Sequence, residues 1–381
     1  MGVKAMPDSR FKTRWGETPW QIDFRSTRRP IPTNVDFAVV GGGFSGLSAA
    51  IWLRKLEPRK TVATFESSLL GAGSSGHTGG MVLSETAAGD LPGLGDVLTG
   101  FSGIVKELAL DCDLSLPGVW EIGRTAGIPD SPISWEDSGN LRAVKLVPGG
   151  SINPGKMVSS LVRSAEAQGV QIFENAAIEN IEFRDPLQLR VCGQTVCAQK
   201  VLLATNAMSL ELNGLMSHAQ PKFTLALATE PMKDAQREAI GLGSEKPFYT
   251  VDFPYLWGRL LPNGGVVFGS GLVHLKDWRE LADLDIATEQ AAELIARLER
   301  RVRGLHPAMY EIEFTHRWGG PILIPEDWTP VFAKHPNCPQ VIVLGGYCGH
   351  GVALSVYLGH WAAEAMLGQR SLPEWDTVEG N

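Results

Sequence analysis

Val35-Asp36-Phe37-Ala38-Val39-Val40 is an apolar run of strand length, and it leads directly into Gly41-Gly42-Gly43-Phe44-Ser45-Gly46. Leu47-Ser48-Ala49-Ala50-Ile51-Trp52-Leu53 follows with apolar residues at helical spacing, and a second strand, Thr61-Val62-Ala63-Thr64-Phe65, ends in Glu66. The order strand, glycine turn, helix, strand, acid predicts a βαβ unit that cradles a dinucleotide. Gly41 permits the tight turn, Gly43 lets a pyrophosphate approach the backbone, and Gly46 lets the helix pack close to the strand. The helix N-terminus at Phe44 and Ser45 offers N–H groups and positive potential to phosphates. Glu66 lies about 20 residues past the glycines, where an acid binds ribose hydroxyls and disfavours a 2′-phosphate.

Residues 67–81 say which dinucleotide. Ser67-Ser68-Leu69-Leu70-Gly71-Ala72-Gly73-Ser74-Ser75-Gly76-His77-Thr78-Gly79-Gly80-Met81 is a long loop of glycines and small hydroxyl residues. A nicotinamide domain has no need of it. A flavin does, because the chain must wrap the pyrophosphate and then run under the isoalloxazine ring. Near the C-terminus the pattern recurs: the buried strand Val341-Ile342-Val343-Leu344, the loop Gly345-Gly346-Tyr347-Cys348-Gly349-His350-Gly351-Val352, and a helix from Ala353 to Met366. Positive potential at that helix N-terminus stabilises negative charge on a reduced flavin.

On these residues the chain resembles the D-amino-acid-oxidase-like family of FAD-dependent amine oxidoreductases. It is most similar to the branch with gamma-glutamylputrescine oxidase, glycine oxidase and the dimethylglycine-oxidising enzymes. The resemblance covers nearly all of residues 18–368 and implies an α/β fold: a Rossmann-like FAD-binding domain with an antiparallel-sheet substrate domain. It implies FAD contacts from Gly41, Gly43, Phe44, Ser45, Gly46, Glu66 and Ser67, and from Gly73, Ser74, Ser75, His77, Thr78, Gly79, Gly80 and Met81. Ile178 is implied at the adenine, Thr205 and Asn206 at the end of the strand Val201–Ala207, and Trp318, Gly346, Tyr347, Gly349, His350, Gly351 and Val352 around the ring.

The chain has 381 residues, a net charge of −8 and five cysteines without metal-ligand spacing. These numbers fit two joined domains, exclude nucleic acid as a natural partner, and suit a reducing cytoplasm without disulfides. No apolar run is long enough to cross a membrane. Residues 1–34, with Arg10, Arg14, Arg25, Arg28 and Arg29 beside Trp15 and Trp20, lack the apolar core of a signal peptide and read as an extension packed on the surface. The FAD domain is expected to be discontinuous, at 35–90, 148–221 and 315–370, with the substrate domain at 91–147 and 222–314 and a tail at 371–381. The family's roof over the substrate cavity is abridged at 121–148, which leaves either an open entrance or one covered by a second subunit in a homo-oligomer.

Flavin amine oxidation asks little acid–base chemistry of the protein. His350, Tyr255, Trp257, Arg259 and Trp318 are the candidates for catalysis or substrate binding. Trp257 and Trp318 read as walls of an amine site or as core, Arg259 as a clamp for a distant carboxylate or a solvated strand residue, and His350 as a contact to the flavin face or to a loop carbonyl. His77 matches a position where the dimethylglycine-oxidising branch bonds its flavin covalently; the other reading is a non-covalent contact. Cys348 reads as a packed residue. The carboxylate-clamping arginine of free amino-acid oxidases is replaced by Ile322, and the lysine that monomeric sarcosine oxidases use with oxygen has no match in Val266-Val267-Phe268. The substrate is therefore expected to be a small amine, with oxygen, a quinone or a protein as electron acceptor. Two rival readings are a same-fold dehydrogenase of a hydroxy acid or polyol phosphate, and a flavin-binding partner protein without turnover.

Overall fold

A computed structural model describes residues 14–24 and 29–375. Arg10, Arg25, Arg28 and the end of the C-terminal tail lie outside the described residues. The first strand, β1 (Asn34–Val40), pairs in parallel on both sides: with β2 (Val62–Phe65) and with Gln194–Leu203. A strand flanked this way is covered on both faces, which is why Ala38-Val39-Val40 reads as an unbroken apolar run. The sheet continues outward from β2 to Gln171–Phe173, and from Gln194–Leu203 to Cys338–Gly345, again in parallel, before an antiparallel edge strand at Val331–His335. The register aligns Val40 with Leu203 and Leu203 with Val343. The carboxyl ends of the three central strands therefore open along one edge, where α/β sheets bind ligands. The strand expected at Val201–Ala207 instead spans Gln194–Leu203, with a hairpin turn before it at Cys192 and Gly193.

Helix α1 (Phe44–Leu56) starts on Gly43 and packs on the C-terminal helix Gly351–Leu367. The two backbones come so close that a Cβ on Gly359 would stand 2.6 Å from the Ser45 carbonyl oxygen. The Ser48 hydroxyl donates to the Val356 carbonyl at 2.7 Å across the same contact. Both glycine loops are thereby locked side by side.

A second eight-stranded sheet runs from Phe314–Pro325 through Ala219–Thr229, Val266–His274, Leu256–Leu260, Phe248–Thr250 and Val119–Gly123 to Asn140–Val147 and Ser134–Glu136. It is antiparallel except where Phe248–Thr250 lies parallel to Val119–Gly123. Residues 314–325 form the edge of this second sheet, in register with Ala219–Thr229 from Thr229 opposite Phe314 to Ala219 opposite Pro325. The first sheet resumes at Val331, and the second sheet, which already holds Val119–Gly123 and Asn140–Val147, takes up the chain again at Ala219.

The described part of the N-terminal extension, residues 14–24, is exposed or half-buried apart from Trp20. Residues 14–24 thread between the second sheet and the helix Pro154–Ala167. The Trp15 carbonyl accepts from the Gly319 N–H at 2.8 Å, and the Asp23 N–H donates to the Ser159 hydroxyl at 2.9 Å. Trp20 is buried and its indole N–H donates to the Gly76 carbonyl at 2.7 Å. Its two indoles anchor it, because each packs apolar surface and finds a backbone acceptor, Leu281 for Trp15 and Gly76 for Trp20. Trp20→Phe is expected to leave that carbonyl unpaired and to cost about 1–3 kcal/mol, read as a lower denaturant midpoint.

Candidate active site

One cavity of about 1430 Å³ runs from the glycine turn after β1 to the face of the second sheet. That is larger than a single small-molecule site, typically about 300–1,000 Å³, and suits a dinucleotide with a substrate at one end.

At the nucleotide end the glycines do what their spacing demands. Gly41 has φ +110°, and a Cβ there would meet the Ala204 carbonyl oxygen at 2.5 Å. A Cβ on Gly46 would stand 2.0 Å from the Gly41 carbonyl oxygen, and one on Gly43 would reach the Ser75 hydroxyl at 2.8 Å. The Phe44 N–H donates to that hydroxyl at 2.9 Å. Glu66 lines the cavity; its carboxylate accepts from the Gly42 N–H at 2.8 Å and the Ser68 N–H at 2.9 Å, while burial pushes its pKa up. Ile178 lines the same end. These residues fit FAD: a turn too tight for a Cβ, an acid at the ribose position and, among the described residues lining that end, no cation for a 2′-phosphate.

In the middle, Asn206 ties the loops together. Its side-chain oxygen accepts from the Gly346 N–H at 3.0 Å and its amide donates to the Ser74 hydroxyl at 3.0 Å. Ser74 in turn donates to the Pro321 carbonyl at 2.7 Å. The Ser45 and Tyr347 hydroxyls sit 2.6 Å apart, joining the first glycine loop to the last. Thr205, Ser67, Gly73, Ser75, Thr78 and Met81 line the cavity, as do Gly349, Gly351 and Val352. Gly46, Gly80 and Gly346 do not; they act through backbone packing and turns. Cys348 is buried and its thiol is pushed up to about 12, so it is no thiolate.

His77 ends a single-turn helix, Ser74–His77, and lines the cavity. Its Nδ1 is 2.9 Å from the Gly73 carbonyl oxygen, which can only accept, so Nδ1 carries the proton and Nε2 the lone pair. Trp318, fully buried, donates its indole N–H to the His77 carbonyl at 3.0 Å, and the Trp15 ring stands edge-on to the imidazole at 5.3 Å. His350 lines the cavity with Nδ1 3.3 Å from the Cys348 carbonyl oxygen. Burial lowers the pKa of both histidines below the ordinary 6.5. Unfolding lets each take a proton that the native state refuses. Stability is thus full above pH 6.5 and is expected to fall as pH drops below that value, towards the lowered native pKa; urea midpoints across this range check it.

At the substrate end Trp257 lies flat between two glycines: a Cβ on Gly79 or Gly269 would stand 2.1 or 2.0 Å from its ring. Tyr255 and Phe253 form the lip, their rings 4.1 Å apart. Arg259 is corrected on both of its sequence readings. It is neither solvated nor in the cavity: it is 5% exposed, and its Nε–H donates to the Gly79 carbonyl behind the loop. Sequence reasoning missed Tyr249, Glu85 and Glu121, which meet at the cavity wall. The Tyr249 hydroxyl lies 3.1 Å from Glu85 Oε1 and 3.3 Å from Glu121 Oε2. Burial first, and then the two carboxylates, hold the phenol protonated. Glu85 follows a short strand and Glu121 sits mid-strand, and no motif marks either. Arg14 is the one cation among the described lining residues, and it sits at the mouth, largely exposed and 3.8 Å from Asp283.

Residues 36–365 match the family model of FAD dependent oxidoreductases. The chain is 25% identical to the probable oxidoreductase OrdL of Rhizobium meliloti, over 89% of this chain and 85% of that one. It is 24% identical to the gamma-glutamylputrescine oxidoreductase of Escherichia coli, over 87% and 84%. Among solved structures, glycine oxidase from Geobacillus kaustophilus superposes with a TM-score of 0.70 at 16% identity, over 89% of this chain and 96% of that one. No helix among the described residues is long and apolar enough to cross a membrane. With the match spanning both glycine loops and the sheet between them, the chain belongs to the DAO family of FAD-dependent oxidoreductases.

Proposed function

We propose that the enzyme oxidises a C–N bond of a small amine that carries an ammonium group apart from the reacting nitrogen, which is itself neutral when it releases hydride from the adjacent carbon. Bound FAD supplies the hydride acceptor, N5, and water hydrolyses the resulting imine to a carbonyl compound and an amine. The observation that carries this reading is the charge of the chamber beyond the flavin cradle. Glu85 and Glu121 face one Tyr249 hydroxyl, which has a single proton to give to two anions. Glu85 is exposed and Glu121 half-buried, so water satisfies the carboxylate that the hydroxyl leaves over, and a substrate ammonium group takes the place of that water. Ile322 lines the cavity, and among the described lining residues the one guanidinium is that of the exposed Arg14, so a free α-carboxylate finds no buried clamp. Trp257, gripped between Gly79 and Gly269, is a fixed aromatic wall of the chamber. Trp318 and Asn206 position the loops, and the Tyr255–Phe253 lip excludes water from the reacting C–H.

The test is anaerobic mixing of the holoenzyme with a panel of primary, secondary and N-methyl amines and a panel of hydroxy acids and polyol phosphates. Bleaching of the flavin by amines is the expected result. Bleaching by the hydroxy panel alone overturns the reading, and bleaching by neither makes the protein a flavin-binding partner. Reoxidation of the bleached enzyme with oxygen, a quinone or a redox protein identifies the acceptor. Acid precipitation assigns the role of His77: a yellow pellet with flavin on the His77 peptide is a covalent link, a yellow supernatant a contact. His77→Ala is expected to lower FAD retention on gel filtration under either linkage, because it also removes the hydrogen bond that closes the Gly73–His77 turn.

A further inference from the structure

Arg259 is a buried cation with no anion beside it. Its Nε–H donates to the Gly79 carbonyl and Nη1 to the Leu260 carbonyl at 3.2 Å, and its guanidinium carbon stands 5.6 Å from the centre of the Trp20 ring. It forms no ion pair among the described residues, and the one charge that acts on it, through space, is Asp113. Burial brings its pKa down only to about 10, so the charge persists at neutral pH. An unpaired buried charge is costly, and folds keep one only against a compensating charge.

The location says where that charge comes from. Gly79 lines the cavity with one side and gives its carbonyl to Arg259 with the other. Trp20 and Trp318 hold the carbonyls of Gly76 and His77 from the same side, at 2.7 and 3.0 Å. Three donors from three distant segments thus grip one turn from behind, and only one of them is charged.

We propose that Arg259 is a positioning residue for the flavin: it fixes the Gly79 carbonyl from behind, and its unpaired charge is balanced by the negative charge the cofactor gains on reduction, which raises the reduction potential. This rests on the FAD reading of the cavity and extends it to a side chain outside the cavity. A positive charge in a poorly screened interior favours the more negative redox state at short range.

The experiment is anaerobic equilibration of holoenzymes with a reference dye, for the wild type and for Arg259→Met, Arg259→Gln and Arg259→Lys. Met and Gln are expected to shift the equilibrium towards oxidised flavin by about tenfold or more, roughly 30 mV for a two-electron couple. Lys, which keeps the charge, is expected to stay near the wild-type value at the acid end of the stable range. A purely structural role would lower FAD occupancy and thermal midpoint in all three while leaving the potential of the bound flavin unchanged, and that pattern overturns the proposal. If Met and Gln retain no flavin, Lys decides alone. A buried lysine loses its proton well below its ordinary pKa, so its potential is expected to fall more steeply with rising pH than that of the wild type; parallel courses overturn the proposal. A wild-type protein that binds no FAD sinks the functional reading itself, whereas a normal holoenzyme with unshifted variants sinks this inference alone.

Discussion

Gly46→Val is expected to purify colourless. The position faces β1, and a first side-chain carbon would already stand 2.0 Å from the Gly41 carbonyl oxygen and 3.2 Å from Val39 Cγ1. The oxygen belongs to the backbone of the turn and cannot rotate away, and valine adds two more carbons. Relief requires α1 to move off β1, and its N-terminus then leaves the phosphate position. Overpacking of this kind costs about 3 kcal/mol, and if that falls on the cradle the loss of FAD affinity is about a hundredfold. The measurement is flavin absorbance per mole of protein and FAD titration of the apoprotein. Gly103→Ala is the control: it sits within the helix Val97–Glu107 with open space around the new carbon, and it should keep the flavin and gain slightly in stability. A Gly46→Val protein with a full complement of FAD would remove the glycine turn from the cofactor site.

The second large effect belongs to the carboxylates. In the Glu85→Gln/Glu121→Gln double variant KM for a cationic amine is expected to rise by at least tenfold, with kcat little changed. A hydrogen bond to a charged group contributes about 1.5–3 kcal/mol, and a substrate ammonium apart from the reacting nitrogen keeps its contact through the reaction, so the loss is uniform binding and falls on KM. Both carboxylates flank one hydroxyl, so the single variants should not add: the first removes the repulsion between the anions as well as a contact. Wild-type KM should also rise with ionic strength more steeply than that of the double variant, because screening weakens only the charged pair. An unchanged KM across the amine panel would detach this wall from substrate recognition and with it the preference for a cationic substrate.

What the sequence determined is what lies within a few tens of contiguous residues. The turn from Val40 to Gly46, the acid at Glu66 and the loop from Gly73 to Met81 are spaced by the geometry of one βαβ unit, so their order encodes their positions. The same holds for the loop from Gly346 to Val352, and the cavity is lined by residues of both stretches. Arg259 shows where that reasoning stops. Trp257 and Arg259 are two apart on one strand and so share a face, which was legible; what covers that face was not. The turn from Gly76 to Gly79 and the indole of Trp20 close over Arg259, while Trp257 reaches the cavity. The substrate wall joins Glu85 to Tyr249 across 164 residues, and the N-terminal strap joins Trp20 to Gly76 across 56. Such pairings follow from which strands lie adjacent in the second sheet and from where a non-repetitive segment finds acceptors for its indoles. Those are choices of packing, made by burial and by satisfying buried polar groups over the whole chain, and no local spacing records them.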